Sequence, residues 1–175
     1  MKYIELRRHS TRIKPSQHLT QDGVNLARKT GEYLGVFVKV YSSSAPRAIE
    51  TAVAMGFAID DILDEVSMTP KKIENEVVWG MTFEQYSNII NKGTKTSEYA
   101  KELATFLLEL IEDVHEEGSI LIVSHGGLIE IAAIGCMPDL DYSKWGEPLD
   151  ICEGVKLTID KNKFVSAEIL RIEDK

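Results

Sequence analysis

The sequence predicts an α/β protein, a three-layer α/β/α sandwich around a mainly parallel central sheet. Short apolar or valine-rich runs at Lys2 to Arg8, Val36 to Tyr41 and Ile120 to Val123 alternate with stretches of helical period. Ile120-Leu121-Ile122-Val123 is apolar at every position, as a parallel strand buried on both faces must be. With 175 residues and 43% hydrophobic content, the chain has the size of one globular domain, so residues 1–175 are read as a single unit.

The first strand, Lys2 to Arg8, places Ile4 and Leu6 on one face and Tyr3, Glu5 and Arg7 on the other, where Glu5 and Arg7 either pair or reach solvent. Ser10 to His18 contains Pro15 and has no apolar period, so it reads as a loop. Thr20 is the expected N-cap of a helix that ends near Gly35, with Leu19 and Val24 as a hydrophobic staple. Val36 to Tyr41 is a second strand with Ser42-Ser43-Ser44 as its polar exit. Pro46 then opens a helix that runs to about Met55. A weaker strand signal covers Ala58 to Val66, followed by a polar connection from Ser67 to Asn75 and a short helix from Thr82 to about Ile90. Thr96 or Ser97 is expected to cap the longest helix, whose stripe of Tyr99, Leu103, Phe106, Leu107, Leu110 and Val114 is core, with Gly118 as its stop. After Ile120 to Val123 come Ser124-His125-Gly126-Gly127 and a helix from Leu128 to about Cys136. Asp139 to Asp150 reads as a loop, in which Tyr142 and Trp145 either wall a substrate site or cover the sheet edge. A hairpin turning at Asp160-Lys161-Asn162-Lys163 closes the sheet.

The formal net charge of -8 argues against a general nucleic-acid or anionic-membrane surface, so any phosphate site must be a local basic pocket. Cys136 and Cys152 lack metal-ligand spacing and neither require nor exclude a disulfide; a reduced, cytoplasmic chain is the default expectation. The N-terminal segment is too short and too charged for a secretory signal, and no apolar run is long enough to span a bilayer. Neither carboxylates nor histidines have metal-site spacing, and no cofactor is expected. Periodicity does not locate a dimer face, so the oligomeric state stays open.

In open α/β sheets, ligands collect outside the carboxyl ends of the strands. Arg8 and His9 end the first strand, Arg47 follows the second, and His125 ends the strand at Ile120 to Val123, so parallel strands bring all four together. Imidazole is a competent nucleophile at neutral pH, and guanidinium forks match phosphate oxygens. Gly126 and Gly127 let the backbone approach closely, and the helix after them turns its positive end to the same place. His18 and His115 are read as a solvated loop histidine and a helix-end cation.

With these residues in view, the chain resembles the histidine phosphatase superfamily, of phosphoglycerate-mutase-like fold. Leu6-Arg7-Arg8-His9-Ser10 is similar to that family's Arg-His-Gly motif, and Leu19-Thr20-Gln21-Asp22-Gly23 to its Leu-Thr-x-x-Gly. Ser42-Ser43-Ser44-Ala45-Pro46-Arg47-Ala48-Ile49-Glu50-Thr51-Ala52 and Ser124-His125-Gly126-Gly127 follow in the family order. The resemblance implies that His9 becomes phosphohistidine while Arg8, Arg47 and His125 bind the transferring phosphoryl group, and two guanidiniums with an imidazolium would supply the electrostatic stabilisation that such a transfer needs. Ser10 replaces the motif glycine and either restricts the backbone or adds a hydroxyl near the phosphate. Arg12 stands where the acid phosphatase branch carries an arginine and reads either as a further phosphate ligand or as a solvated loop residue. A phosphomonoester also needs a proton for its leaving alkoxide. The resemblance places that acid upstream of Gly80-Met81-Thr82-Phe83-Glu84, which makes Glu76 the preferred candidate and Glu74 the second, while Trp79 stands where a glutamate often precedes the glycine.

The expected activity is metal-independent hydrolysis of a small phosphomonoester, with mutase chemistry disfavoured by the lack of insertions that could enclose an intermediate. The runner-up is a phosphohistidine phosphatase acting on phosphoproteins. A reading of another class is a domain that binds phosphorylated ligands without turnover.

Overall fold

A computed structural model describes residues 1–172. A six-stranded sheet runs in the order β3-β2-β4-β1-β5-β6, with β1 at Lys2–Arg8, β2 at Lys39–Ser42, β3 at Asp61–Ile62, β4 at Ser119–Ser124, β5 at Gly154–Asp160 and β6 at Lys163–Leu170. The strands from β3 to β1 are mutually parallel, and β5 and β6 add an antiparallel edge. Helices α1 (Gln21–Gly31) and α2 (Pro46–Ala54) pack together on one face. Helices α3 (Phe83–Ile90), α4 (Lys95–Leu110) and α5 (Leu128–Cys136) cover the other.

Strand alternation divides the core between these faces. Ile120 and Ile122 of β4 join Ile4, Leu6, Val155 and Leu157 under α3, α4 and α5, whereas Leu121 and Val123 meet Val40, Ala48 and Ala52 under α2. Both faces of β4 are therefore apolar and buried, which is why its sequence does not alternate. On β1 the second face carries Glu5 and Arg7, paired at 2.6 Å, with Arg7 Nη1 donating to the Cys152 carbonyl. Lys161 and Asn162 both have positive φ at the β5–β6 turn, the backbone that a tight two-residue hairpin requires. Among the described residues no helix is long and apolar enough to cross a membrane.

Several boundaries differ from expectation. The first helix stops at Gly31 rather than near Gly35, and β2 begins at Lys39, where its register with Ile120 of β4 starts. The strand expected over Ala58 to Val66 shrinks to two residues because the chain turns into a 3-10 segment at Asp64–Val66. Helix α4 begins before Thr96 and Ser97: Thr94 is the N-cap and forms a capping box with Ser97, and the helix ends at Leu110, ahead of Val114 and Gly118. Tyr142 stacks on Phe83 and donates to the carbonyls of Ala133 and Met137, which makes it a support for α5.

Candidate active site

Three neighbouring parallel strands, β2, β4 and β1, end at the same edge of the sheet. Register sets Arg8 beside Ser124 and Ser42 beside Val123, and the ladder continues one bond further, from His9 N to the Ser124 carbonyl and from Ser43 N to the Val123 carbonyl. His9, Ser43 and His125 are therefore each the first residue past a paired strand end. Pro46 then starts α2, with Arg47 in its first turn facing the same place.

The hydrogen bonds around His9 leave one protonation state. Its Nδ1 lies 2.8 Å from the Ser10 carbonyl, which can only accept, and its Nε2 lies 3.0 Å from Arg47 Nε, which can only donate. The ring is thus neutral, protonated on Nδ1, with the Nε2 lone pair turned to the arginine. His125 is neutral by the same logic. Arg47 Nη2 donates to its Nδ1 at 3.2 Å, and Nε2–H donates to Ser43 Oγ at 2.8 Å. Burial, followed by repulsion from Arg47, Arg8 and Arg12, lowers His9 to about 4 against the opposing pull of the Ser10 carbonyl. Burial and then Arg47 lower His125 to about 3. His125 is therefore an imidazole in the free protein, first because it is buried and then because Arg47 lies beside it.

Arg8 crosses Gly126, where an added Cβ would sit 3.1 Å from Arg8 Nε, so a larger residue would make the guanidinium shift by a few tenths of an ångström. Arg8 Nη1 donates to the Leu149 carbonyl, and its buried Nε has no partner among the described residues. Beneath it lies a group that the sequence reading did not single out. Glu130, 1% exposed, accepts from Gly127 N at 2.6 Å and from Leu149 N at 3.2 Å. Burial raises its pKa against these bonds and the Arg8 charge. The available signal was a lone carboxylate within Leu128-Ile129-Glu130-Ile131-Ala132-Ala133-Ile134, a helix apolar on nearly every side.

The remaining candidates separate. The Ser10 hydroxyl donates to the Gly23 carbonyl at 2.8 Å, and its N–H donates to Thr51 Oγ1. Of the two readings of Ser10, a hydroxyl near the phosphate does not describe this bond, which ties β1 to the start of α1. Arg12 donates to the Ser16 carbonyl and lines the cleft with Lys14. Glu76 is a correction. Its carboxylate accepts from Lys95 N, Thr96 N and Thr96 Oγ1, and these bonds, with the Thr96 hydroxyl first, hold it below the usual carboxylate range, opposite to what a proton donor needs. Glu76 serves the N-terminus of α4, whereas Glu74 lines the cleft. His18 pairs with Glu50, and His115 lies against the Glu116 carbonyl past the end of α4.

An open cleft of about 890 Å³ is bounded by Arg8, His9, Arg47 and His125 and by the connection that carries Met68, Glu74, Val78 and Trp79. Such an arrangement presents one nucleophilic nitrogen among guanidinium donors, the electrostatics suited to a trigonal phosphoryl group in transfer. Among the described residues no group of three or more His, Cys, Asp or Glu is placed to hold a metal ion.

Comparison with known proteins finds the same fold. The chain has a TM-score of 0.72 with phosphoserine phosphatase from Entamoeba histolytica in complex with 3-phosphoglyceric acid, at 19% identity over 99% of this chain and 98% of that one. Phosphoglycerate mutase from Bacillus anthracis gives a TM-score of 0.65 at 16% identity, covering 96% of this chain and 92% of that one. A mycobacterial glucosyl-3-phosphoglycerate phosphatase in complex with VO3 gives 0.68 at 16% identity, covering 97% and 98%. A search of curated proteins finds no significant match. The model of the histidine phosphatase superfamily (branch 1) matches residues 7–170, and the chain belongs to that superfamily.

Proposed function

We propose that the protein is a metal-independent phosphatase that hydrolyses a small phosphomonoester through a phosphohistidine at His9. The observation that carries this reading is the neutral, Nδ1-protonated His9, whose Nε2 lone pair faces Arg47 in the cleft. Phosphate oxygens compete for the donors of Arg47 and Arg8, which frees Nε2 to attack phosphorus while the guanidiniums hold the equatorial oxygens. As the N–P bond forms, the ester P–O bond breaks and the leaving oxygen takes a proton from Glu74, the cleft-lining carboxyl. Water, deprotonated by the same carboxylate, then attacks phosphorus and releases His9 and inorganic phosphate. A dianion beside His125 also favours protonation of its ring, so the imidazolium belongs to the complex.

The test is hydrolysis of an aryl phosphate in EDTA by the wild type and by His9→Ala. An aryl leaving group needs little protonation, so the assay isolates the nucleophile. Activity should persist in EDTA and fall by on the order of a thousandfold or more in the variant. A folded wild type that binds vanadate and turns over no phosphate ester would favour the binding-only reading.

A further inference from the structure

The phosphate cradle fills only part of the cleft, and the rest has a composition of its own. Beyond Arg8, His9, Arg12, Arg47 and His125, the lining includes Met68, Val77, Val78, Trp79, Leu128 and Ile151. Three of these are unusually open for their size: Met68 is 80% exposed, Val78 67% and Trp79 61%. Apolar side chains gathered at one mouth mark a contact surface more often than scattered ones do.

The backbone that carries them is anchored, so their exposure is held in place. Glu76 is fixed to the N-terminus of α4 through Thr96 and Lys95. Val78 accepts from the Tyr86 hydroxyl at 3.3 Å, and Ser67, beside Met68, is bonded to the Leu63 carbonyl and to Ser44 N. The Trp79 ring lies against Gly127, where an added Cβ would meet Cζ3 at 2.2 Å, so the indole sits one residue from the Gly126 that supports Arg8. Polar groups on this connection are few: the Ser67 hydroxyl is already used, and Thr69, whose buried Oγ1 has no partner among the described residues, and Glu74 are the others in the lining.

We propose that the site selects phosphomonoesters of apolar alcohols or phenols, the leaving group lying on Met68, Val78 and Trp79 while its phosphate meets the arginines. This rests on the phosphatase reading, and it names the class of substrate. Charge fixes the orientation: the cations surround His9, so an amphipathic ester enters phosphate first and leaves its apolar part against the exposed rim. A sugar or glycerate ester would place several hydroxyls against Met68 and Val78, whose side chains offer them no strong hydrogen bond, with only Thr69, Glu74 and the Trp79 N–H nearby to take some of them up.

The test is calorimetric titration with n-alkylphosphonates from ethyl to octyl, below their micelle concentrations. Their C–P bond is not hydrolysed, so binding is read whether or not the protein turns over esters. Affinity should rise by about tenfold or more from ethyl to octyl, the gain expected when several methylenes are partly buried. Met68→Ser and Trp79→Ala should each shrink the octyl-to-ethyl ratio, and Met68→Ser keeps the test sound if loss of the indole disturbs Gly127. An affinity that is flat or falls with chain length, or tighter binding of 3-phosphoglycerate than of octylphosphonate, would overturn the proposal. Neither result bears on His9→Ala and aryl phosphate hydrolysis, so the two readings fail separately.

Discussion

A neutral imidazole beside three guanidiniums has a pH signature that a solvated histidine lacks. His9 is held down to about 4, so its nucleophilic free base is present above that pH and is lost as pH falls through it. The acid limb of kcat/KM on an aryl phosphate should therefore lie near pH 4 rather than near 6.5, and a limb near 6.5 would contradict the burial that sets His9 apart. Arg8, His9, Arg47 and His125 were legible in the sequence because each follows a recognisable strand, and topology does the rest. Ser10 was legible only as a departure: whether its hydroxyl turns to a phosphate or to the Gly23 carbonyl depends on where α1 packs. Glu130 escaped because its two partners, Gly127 N and Leu149 N, come from segments far apart in the chain.

Helix ends account for most of what the sequence misplaced among the elements. Periodicity found α4 but put its cap at Thr96 or Ser97, and the same misreading left Glu76 free to be cast as the acid. In the fold, Glu76 accepts from the N–H groups of Lys95 and Thr96 at the start of that helix, reaching them from another segment, while Thr94 N donates to Ser97 Oγ. Glu76→Ala should lower the urea denaturation midpoint and leave hydrolysis of aryl phosphates within about twofold. Glu74→Gln should do the reverse, slowing alkyl phosphates far more than aryl ones while the midpoint holds. Equal loss on both ester types would remove Glu74 as proton donor. The short β3 is another tertiary outcome, since the 3-10 turn at Asp64–Val66 brings Ser67 to Ser44 and ends the strand early.

For the molecule as a whole, a chain of net charge -8 gathers Arg8, Arg12, Lys14 and Arg47 in the cleft where three strands end. Anion binding there should stabilise the entire fold by linkage. Inorganic phosphate at a hundred times its Kd should raise unfolding free energy by about 2.7 kcal/mol, less at high salt and much less in Arg47→Ala. An unchanged midpoint in saturating phosphate would mean that the cleft does not hold the anion. The α/β class, the parallel centre and the closing hairpin were legible from runs and turns, whereas the strand order was not, because it depends on how β4 inserts between β2 and β1. That insertion governs how the chain can be made. On a ribosome Lys2–Arg8 is made well before both its sheet neighbours, Ser119–Ser124 and Gly154–Asp160. Until they are made, the strand that leads to the nucleophile has two open edges, and a nascent chain that stops short of β4 lacks His125 and cannot carry the pocket.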